Sequence, residues 1–229
     1  GLRAMSAARP AVSTREAVGR AGRRDERPGG RADGGRLPAG SVAARVNAER
    51  VSLLAWSRAI LLQLAHPLVA AGIDDHSTFR GGRLAAVSRL HHTVRAMLSL
   101  TFGDDAARDA TIATINGIHR RVNGVLREAA GPFAAGTRYS AEDPALLLWV
   151  HATLAESIPL VYDRIVRPLS TAERDEYCRE GAWVAHALGA AEGVPLTWRE
   201  LQDYVAGTHR SGMLVVSAQA RELARAVMA

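Results

Sequence analysis

Apolar residues recur at helical spacing along most of the chain, in segments separated by Gly, Pro and Asp. No alternating apolar and polar segment typical of a strand is present, and no internal repeat. The sequence therefore predicts an all-α fold with about seven or eight helices, the eighth being a turn or short helix after Pro67. Capping and turn residues set the predicted helix bounds at 41–66, 82–101, 105–129, 144–165, 171–187, 195–207 and 213–229.

The segment that follows Asp143 has the clearest helical signature. Asp143 is a capping carboxylate, and Pro144 suits the first helical position, where a missing N–H costs nothing. We expect Pro159 to kink this helix. Apolar positions recur at steps of three and four and include one histidine: Leu147, His151, Leu154, Ile158, Val161 and Ile165. This stripe predicts a core helix that carries His151 among apolar side chains.

A second histidine lies on an apolar stripe in the predicted helix 105–129, namely Ile112, Ile115, His119, Val122 and Leu126. An unpaired polar group in a core costs about 1–3 kcal/mol, so each stripe histidine needs a partner. The pattern leaves open whether that partner is a backbone carbonyl, a carboxylate or a metal.

In the predicted helix 82–101, Arg89, His92 and Thr93 fall opposite the main apolar stripe. That side faces solvent on an isolated helix. Ala96 and Leu100 share it, which leaves open an internal pocket instead.

Charge divides the chain into two parts. The net charge is +6, and residues 1–45 hold ten Arg against four acids, whereas 19 Arg and 19 acids balance from residue 46 onward. Residues 1–40 are rich in Arg, Gly, Ala and Pro, so we predict a disordered leader before a single helical domain over 41–229. Because the predicted domain is neutral, we expect no nucleic-acid partner, which disfavours a helical transcription regulator.

The compartment is predicted from what the sequence lacks. The single cysteine, Cys178, rules out an internal disulfide and a zinc site built from cysteines. No signal peptide is recognisable. The most apolar 20-residue stretch, residues 53–72, contains Arg58, His66 and Pro67, which are rare in a membrane span. We therefore expect a cytoplasmic protein with no transmembrane segment; its oligomeric state is left open.

Spacing argues against several common catalytic sites. The chain contains no Glu-x-x-His pair, no His-Glu-x-x-His motif and no Gly-x-Ser-x-Gly motif. A haem needs less, namely one neutral imidazole on a helix and apolar side chains around the ring. A buried histidine with a purely structural role satisfies the same pattern, so both interpretations stay open at this point.

Five segments in order resemble the rubber oxygenase (latex clearing protein) and MpaB-like oxygenase family, which was formerly a domain of unknown function. They are Gln63-Leu-Ala-His-Pro-Leu-Val-Ala-Ala-Gly72, His76-Ser-x-Phe79, Arg89-Leu-x-x-Thr93, His119-x-x-Val-x-Gly124, and Tyr139-x-Ala-x-Asp-Pro-x-Leu-Leu-x-Trp-Val-His-Ala-Thr-Leu154. The resemblance covers about residues 45–205. The ordered series is specific, although each motif alone is weak.

The resemblance implies a globin-like helical fold that holds a b-type haem. By motif order, His119 matches the family's iron ligand, and His151 is the second candidate for holding the cofactor. Arg89 and Thr93 match an Arg and a Thr that lie beside the haem and act in catalysis. His92 stands where rubber oxygenases have a Lys at the distal side of the iron, so we count it with the catalytic residues.

This likeness implies an oxygenase that uses O₂ to cleave a C=C bond of a small apolar or isoprenoid substrate. Insoluble rubber is not expected as the substrate, because the chain lacks an export signal. The family usually extends further after Met213, so we expect the domain to be C-terminally truncated. A non-catalytic haem or ligand-binding protein with the same fold is the alternative.

Overall fold

Helices account for most of the part of the chain that the computed structural model describes, namely Leu37, residues 40–76 and residues 83–228, with only the backbone for 83–91. These residues contain nine helices and one small sheet. The helices are α1 Val42–Asn47, α2 Ser52–Leu64, α3 Pro67–His76, α4 Arg83–Phe102, α5 Asp105–His119, α6 Pro144–Ile165, α7 Thr171–Ala187, α8 Trp198–Arg210 and α9 Ala218–Met228; the strands are β1 Asn123–Val125 and β2 Arg138–Ser140. The all-α prediction is confirmed. The predicted leader lies almost wholly outside the described residues.

The predicted first helix is wrong in one respect, because it is broken into α1 and α2 by a turn over 48–51. The Ser41 side chain caps α1 as predicted, accepting a hydrogen bond from the Ala44 N–H. Ser52 stabilises the break, since its hydroxyl donates to the Val46 carbonyl at 2.9 Å. The second bend, at His66, was correctly predicted from Pro67: α2 and α3 meet there at 108°.

The predicted helix 105–129 is also wrong in its second half. The helix ends at His119, and β1 then pairs with β2 in an antiparallel hairpin. Gly124 permits this close pairing, because a Cβ there would lie 2.5 Å from the Tyr139 hydroxyl oxygen. Each strand is only three residues long, so the sequence has too few alternating apolar and polar positions to predict a strand.

The core is centred on α6, which packs against α2, α7 and α8. Asp143 caps α6 as predicted, accepting from the N–H groups of Ala145 and Leu146. The helix continues through Pro159 without a break. Its predicted apolar stripe has the wrong phase, because Ile165 is 58% exposed while polar Thr153 is fully buried. Neighbours on several sides enclose α6, so its sequence does not show one apolar face.

The C-terminal helices start at capping boxes. Ser170 and Glu173 form one at α7, and Thr197 and Glu200 form another at α8, each side chain accepting from the other's backbone N–H. The bounds of α7 agree with the prediction. Helices α8 and α9 begin three and five residues later than predicted, at Trp198 and Ala218. Helix α8 starts after its Thr197 cap rather than at Pro195, and α9 starts after Ser217, whose hydroxyl accepts from the Ala220 N–H.

Two segments are apolar and long enough to cross a bilayer, namely α6 and the bent pair α2–α3. However, 61% of the most apolar part of α6 is buried inside the protein. A buried core helix can be as long and as apolar as a membrane-spanning one, so length and composition alone are weak evidence for a membrane segment.

Candidate functional site

His119 ends α5 at the point where the chain turns into the hairpin. Its ring is half-buried, and its Nδ1 atom is buried without a hydrogen-bond partner. Burial lowers the pKa of His119, and the nearby Glu142 carboxylate opposes that shift. The ring is therefore neutral near pH 7, which is the form that binds a metal ion.

A second sequestered imidazole lies close to the hairpin. His66, at the bend between α2 and α3, is 4% exposed and also has a buried, unpartnered Nδ1 atom. Its ring packs against Phe133 with the centroids 5.3 Å apart. Burial lowers the pKa of His66, and Asp143 partly offsets this.

A polar clamp joins α3 to the hairpin. The Asp75 carboxylate accepts from the Tyr139 hydroxyl at 2.6 Å and from Arg127 at 2.5 Å. Burial, followed by the bond to Asp75, raises the pKa of Tyr139, so the phenol stays protonated. His76 adds a hydrogen bond from Nε2 to the Asn123 carbonyl at 3.0 Å. The clamp fixes the hairpin that follows His119.

His151 occupies a different position, in the middle of α6 and facing α7. A Cβ on Gly181 would lie 3.8 Å from its Cε1 atom, so the two helices approach closely there. Burial, and after it the positive charge of the neighbouring His186, lowers the pKa of His151 to about 4. Within the described residues no hydrogen bond or ring contact joins His151 to His119.

The three predicted catalytic residues lie on α4, but only two of their side chains are described. His92 and Thr93 are exposed, whereas Leu100 on the same side of the helix is buried, so solvent covers only part of this side. The Arg89 side chain lies outside the described residues. The roles of all three stay predictions.

Over the described ranges, no three His, Cys, Asp or Glu side chains converge in a group that could hold a metal ion. A haem needs only one protein ligand, because its own ring supplies four nitrogen atoms. His119 fits that requirement, since its imidazole is neutral and has an unpartnered ring nitrogen.

Several polar residues of the fold were not predicted as functional from the sequence. Asp75 and Tyr139 are 64 positions apart, so their pairing has no local signal. Glu156 is 5% exposed and forms an ion pair with Arg58 at 2.8 Å. In the sequence Glu156 shows only as a charged residue inside an apolar helix.

Comparison with known protein families places the chain among the catalytic domains of oxygenases. The family model described as "ER-bound oxygenase mpaB/B'/Rubber oxygenase, catalytic domain" matches residues 44–229. The chain belongs to this family, which confirms the resemblance seen in its motifs. No curated protein and no solved structure matches the chain.

Proposed function

We propose that this chain is a haem b-dependent oxygenase that cleaves a C=C bond of a small apolar, isoprenoid-like molecule with O₂. The neutral imidazole of His119, with its unpartnered ring nitrogen, is the observation that carries the proposal. Membership of an oxygenase family supports the reaction class. The location in the cell stays a prediction, namely the cytoplasm.

In this proposal His119 holds the haem iron. When bound, the haem supplies the oxygen chemistry, and the protein supplies orientation and a dry environment. The hairpin clamp fixes the backbone after His119. Leu98 and Phe102, one turn apart on α4, are 47% and 48% exposed and offer apolar surface that a flat cofactor or an apolar substrate would cover.

Arg89, His92 and Thr93 are the proposed catalytic side chains. An Arg and a hydroxyl on one helix provide hydrogen-bond donors that can orient a polar group or an oxygen molecule. Arg89→Ala is expected to keep the haem and to lower turnover, because Arg89 is proposed to act beside the cofactor rather than on the iron.

The test is titration of the purified protein with haemin, followed by its Soret absorbance. His119→Ala is expected to lose the band while keeping its helical circular dichroism, whereas His151→Ala weakens binding less. His209→Ala serves as the matched control, because His209 is exposed. If His119→Ala kept the full Soret band and His151→Ala lost it, His151 rather than His119 would be the iron ligand.

Activity is tested with a short oligoisoprene under oxygen, with detection of carbonyl products. The haem-loaded protein is expected to consume O₂ and form two carbonyl groups for each bond cleaved. A protein that binds haem through His119 but forms no product with any apolar alkene would favour the non-catalytic alternative. A protein that binds no haem would overturn the proposal.

A further inference from the structure

A small cavity with an almost entirely apolar surface lies where α1, α2, α4 and α6 meet, and its volume is about 20 Å³. Leu98 at its edge is 47% exposed, whereas Ile158 is 2% exposed, so the cavity reaches from the protein surface toward the core. The side chains that line it are Asn47, Ser52, Trp56, Met97, Leu98, Thr101 and Ile158.

The polar side chains of this lining already form hydrogen bonds within the fold. The Asn47 side chain donates to the Thr101 hydroxyl at 3.2 Å and accepts from the Tyr177 hydroxyl at 3.0 Å. The Ser52 hydroxyl donates to a backbone carbonyl of α1 at 2.9 Å. Among the described lining residues, only Trp56 has a buried polar side-chain atom without a partner, its Nε1.

Size and polarity together decide what can occupy the cavity. A volume of about 10–15 Å³ is enough for one water, but a buried water typically makes about three hydrogen bonds. The cavity has room for one very small molecule and offers it one unpaired donor, that of Trp56. An apolar diatomic molecule needs no hydrogen bond, so the cavity suits such a molecule better than it suits water.

The cavity also adjoins the part of α4 that carries the proposed catalytic residues. Met97 follows Thr93 by four positions, which is about 6 Å along a helix axis. Side chains at this spacing lie on the same face of a helix. Thr93 is exposed and Met97 is half-buried. The helix face proposed to orient oxygen therefore continues, one turn later, into the cavity.

We propose that this cavity is a docking site for O₂ on its way to the haem. O₂ is small, apolar and dilute in water, and an apolar cavity would concentrate it beside α4. This inference rests on the proposed function, because it assumes that the reaction with O₂ takes place beside this helix.

The experiment measures methyl-proton relaxation in the full chain under oxygen and under the same pressure of nitrogen. O₂ is paramagnetic, so it speeds the relaxation of the methyl protons that it approaches. Any haem is left ferric, because ferric iron does not bind O₂. Under oxygen, Ile158 is expected to relax faster than Leu201, which is 1% exposed and does not line the cavity.

Met97→Phe places a larger side chain in the cavity and is expected to abolish the excess relaxation of Ile158. Leu98→Trp, at the exposed edge, serves the same purpose if Met97→Phe does not fold. Leu54→Phe is the matched control, because Leu54 is 61% exposed and does not line the cavity. In the haem-loaded protein, Met97→Phe is also expected to raise the O₂ concentration needed for half-maximal turnover, with an unchanged Soret band.

The possible failures of this inference and of the proposed function are distinguishable. Equal relaxation of Ile158 and Leu201 would show that O₂ does not collect in the cavity, and would overturn this inference alone. An excess that survives both Met97→Phe and Leu98→Trp would place the O₂ elsewhere and would overturn it too. An excess at Ile158 in a protein that binds no haem would overturn the proposed function and leave the O₂ site standing.

Discussion

The crossing of α2 and α6 and the corner around His119 differ in how their buried polar groups are paired. At the crossing, Gln63 donates to Thr153 at 2.9 Å, and Glu156 pairs with Arg58 at 2.8 Å and accepts from Gln202 at 3.0 Å. The indole N–H groups of Trp56 and Trp149, on the same two helices, are buried without partners. At the corner, the ring nitrogens of His66 and His119 are buried without partners. A satisfied network stabilises a fold, whereas an unsatisfied group often marks a ligand site.

The burial of side chains also differs between α6 and α5. The buried face of α6 includes Ala152 and Ser157, each with no exposed surface. On α5, Arg108 is buried, while Ile118 is 47% exposed. The buried face of α6 is therefore more completely enclosed than the end of α5 that carries His119.

The largest expected effect comes from a charge placed in the crossing. Ile158 is 2% exposed in the core, so Ile158→Asp is expected to abolish cooperative folding, through a loss of more than about 4 kcal/mol. Ile165→Asp is the matched control, because Ile165 is on the same helix and 58% exposed. Thermal unfolding followed by circular dichroism measures both. A cooperative Ile158→Asp variant that melts near the wild-type temperature would show that the crossing does not carry the core.

Acid is expected to weaken the same helix through His151. Its pKa is about 4 in the folded chain against 6.5 for an unperturbed histidine, so the unfolded chain takes up the proton first. The resulting stability is complete above about pH 6.5 and is lost as the pH falls toward 4.

Urea unfolding at pH 7.5 and pH 5 tests this in wild type and His151→Leu. The wild type is expected to lose about 2 kcal/mol more than the variant between the two pH values. Acidic groups with lowered pKa values, such as Glu173, contribute equally to both proteins and cancel in the comparison. Equal losses would mean that His151 is protonated as readily in the folded chain as in the unfolded one.

The smallest expected effect distinguishes an unpartnered histidine from a partnered one. In the haem-free protein, His119→Leu is expected to leave the free energy of unfolding unchanged or slightly raised, because no hydrogen bond of its Nδ1 atom is lost. His76→Leu removes the bond to the Asn123 carbonyl and is expected to cost about 0.5–1 kcal/mol. Urea unfolding measures both variants. A loss in His119→Leu as large as that in His76→Leu would reveal a stabilising partner of the His119 ring.

Local signals accounted for the elements that were predicted correctly. The Asp143–Pro144 start of α6, the bounds of α7 and the bend at Pro67 each depend on capping or on proline geometry within a few residues. The motif order identified the family, which the match over residues 44–229 confirmed.

Elements that depend on distant residues were missed. The strand at Asn123 forms because Gly124 accommodates the Tyr139 phenol and Asp75 holds that phenol from another helix. The predicted phase of the apolar stripe on α6 was wrong for a related reason. Because α2, α7 and α8 all pack on this helix, its sequence shows no single apolar face.

The sequence by itself determined the helical class, the caps, the family and the candidate histidines, because these depend on spacing and on short-range hydrogen bonds. Only the tertiary structure decided which histidine rings have an unpartnered nitrogen, namely those of His66 and His119, and which carboxylates act on them. Burial and the electrostatic effect of Glu142 on His119 depend on how α5, the hairpin and the start of α6 pack together. Such distances in space have no counterpart in the spacing of residues along the chain.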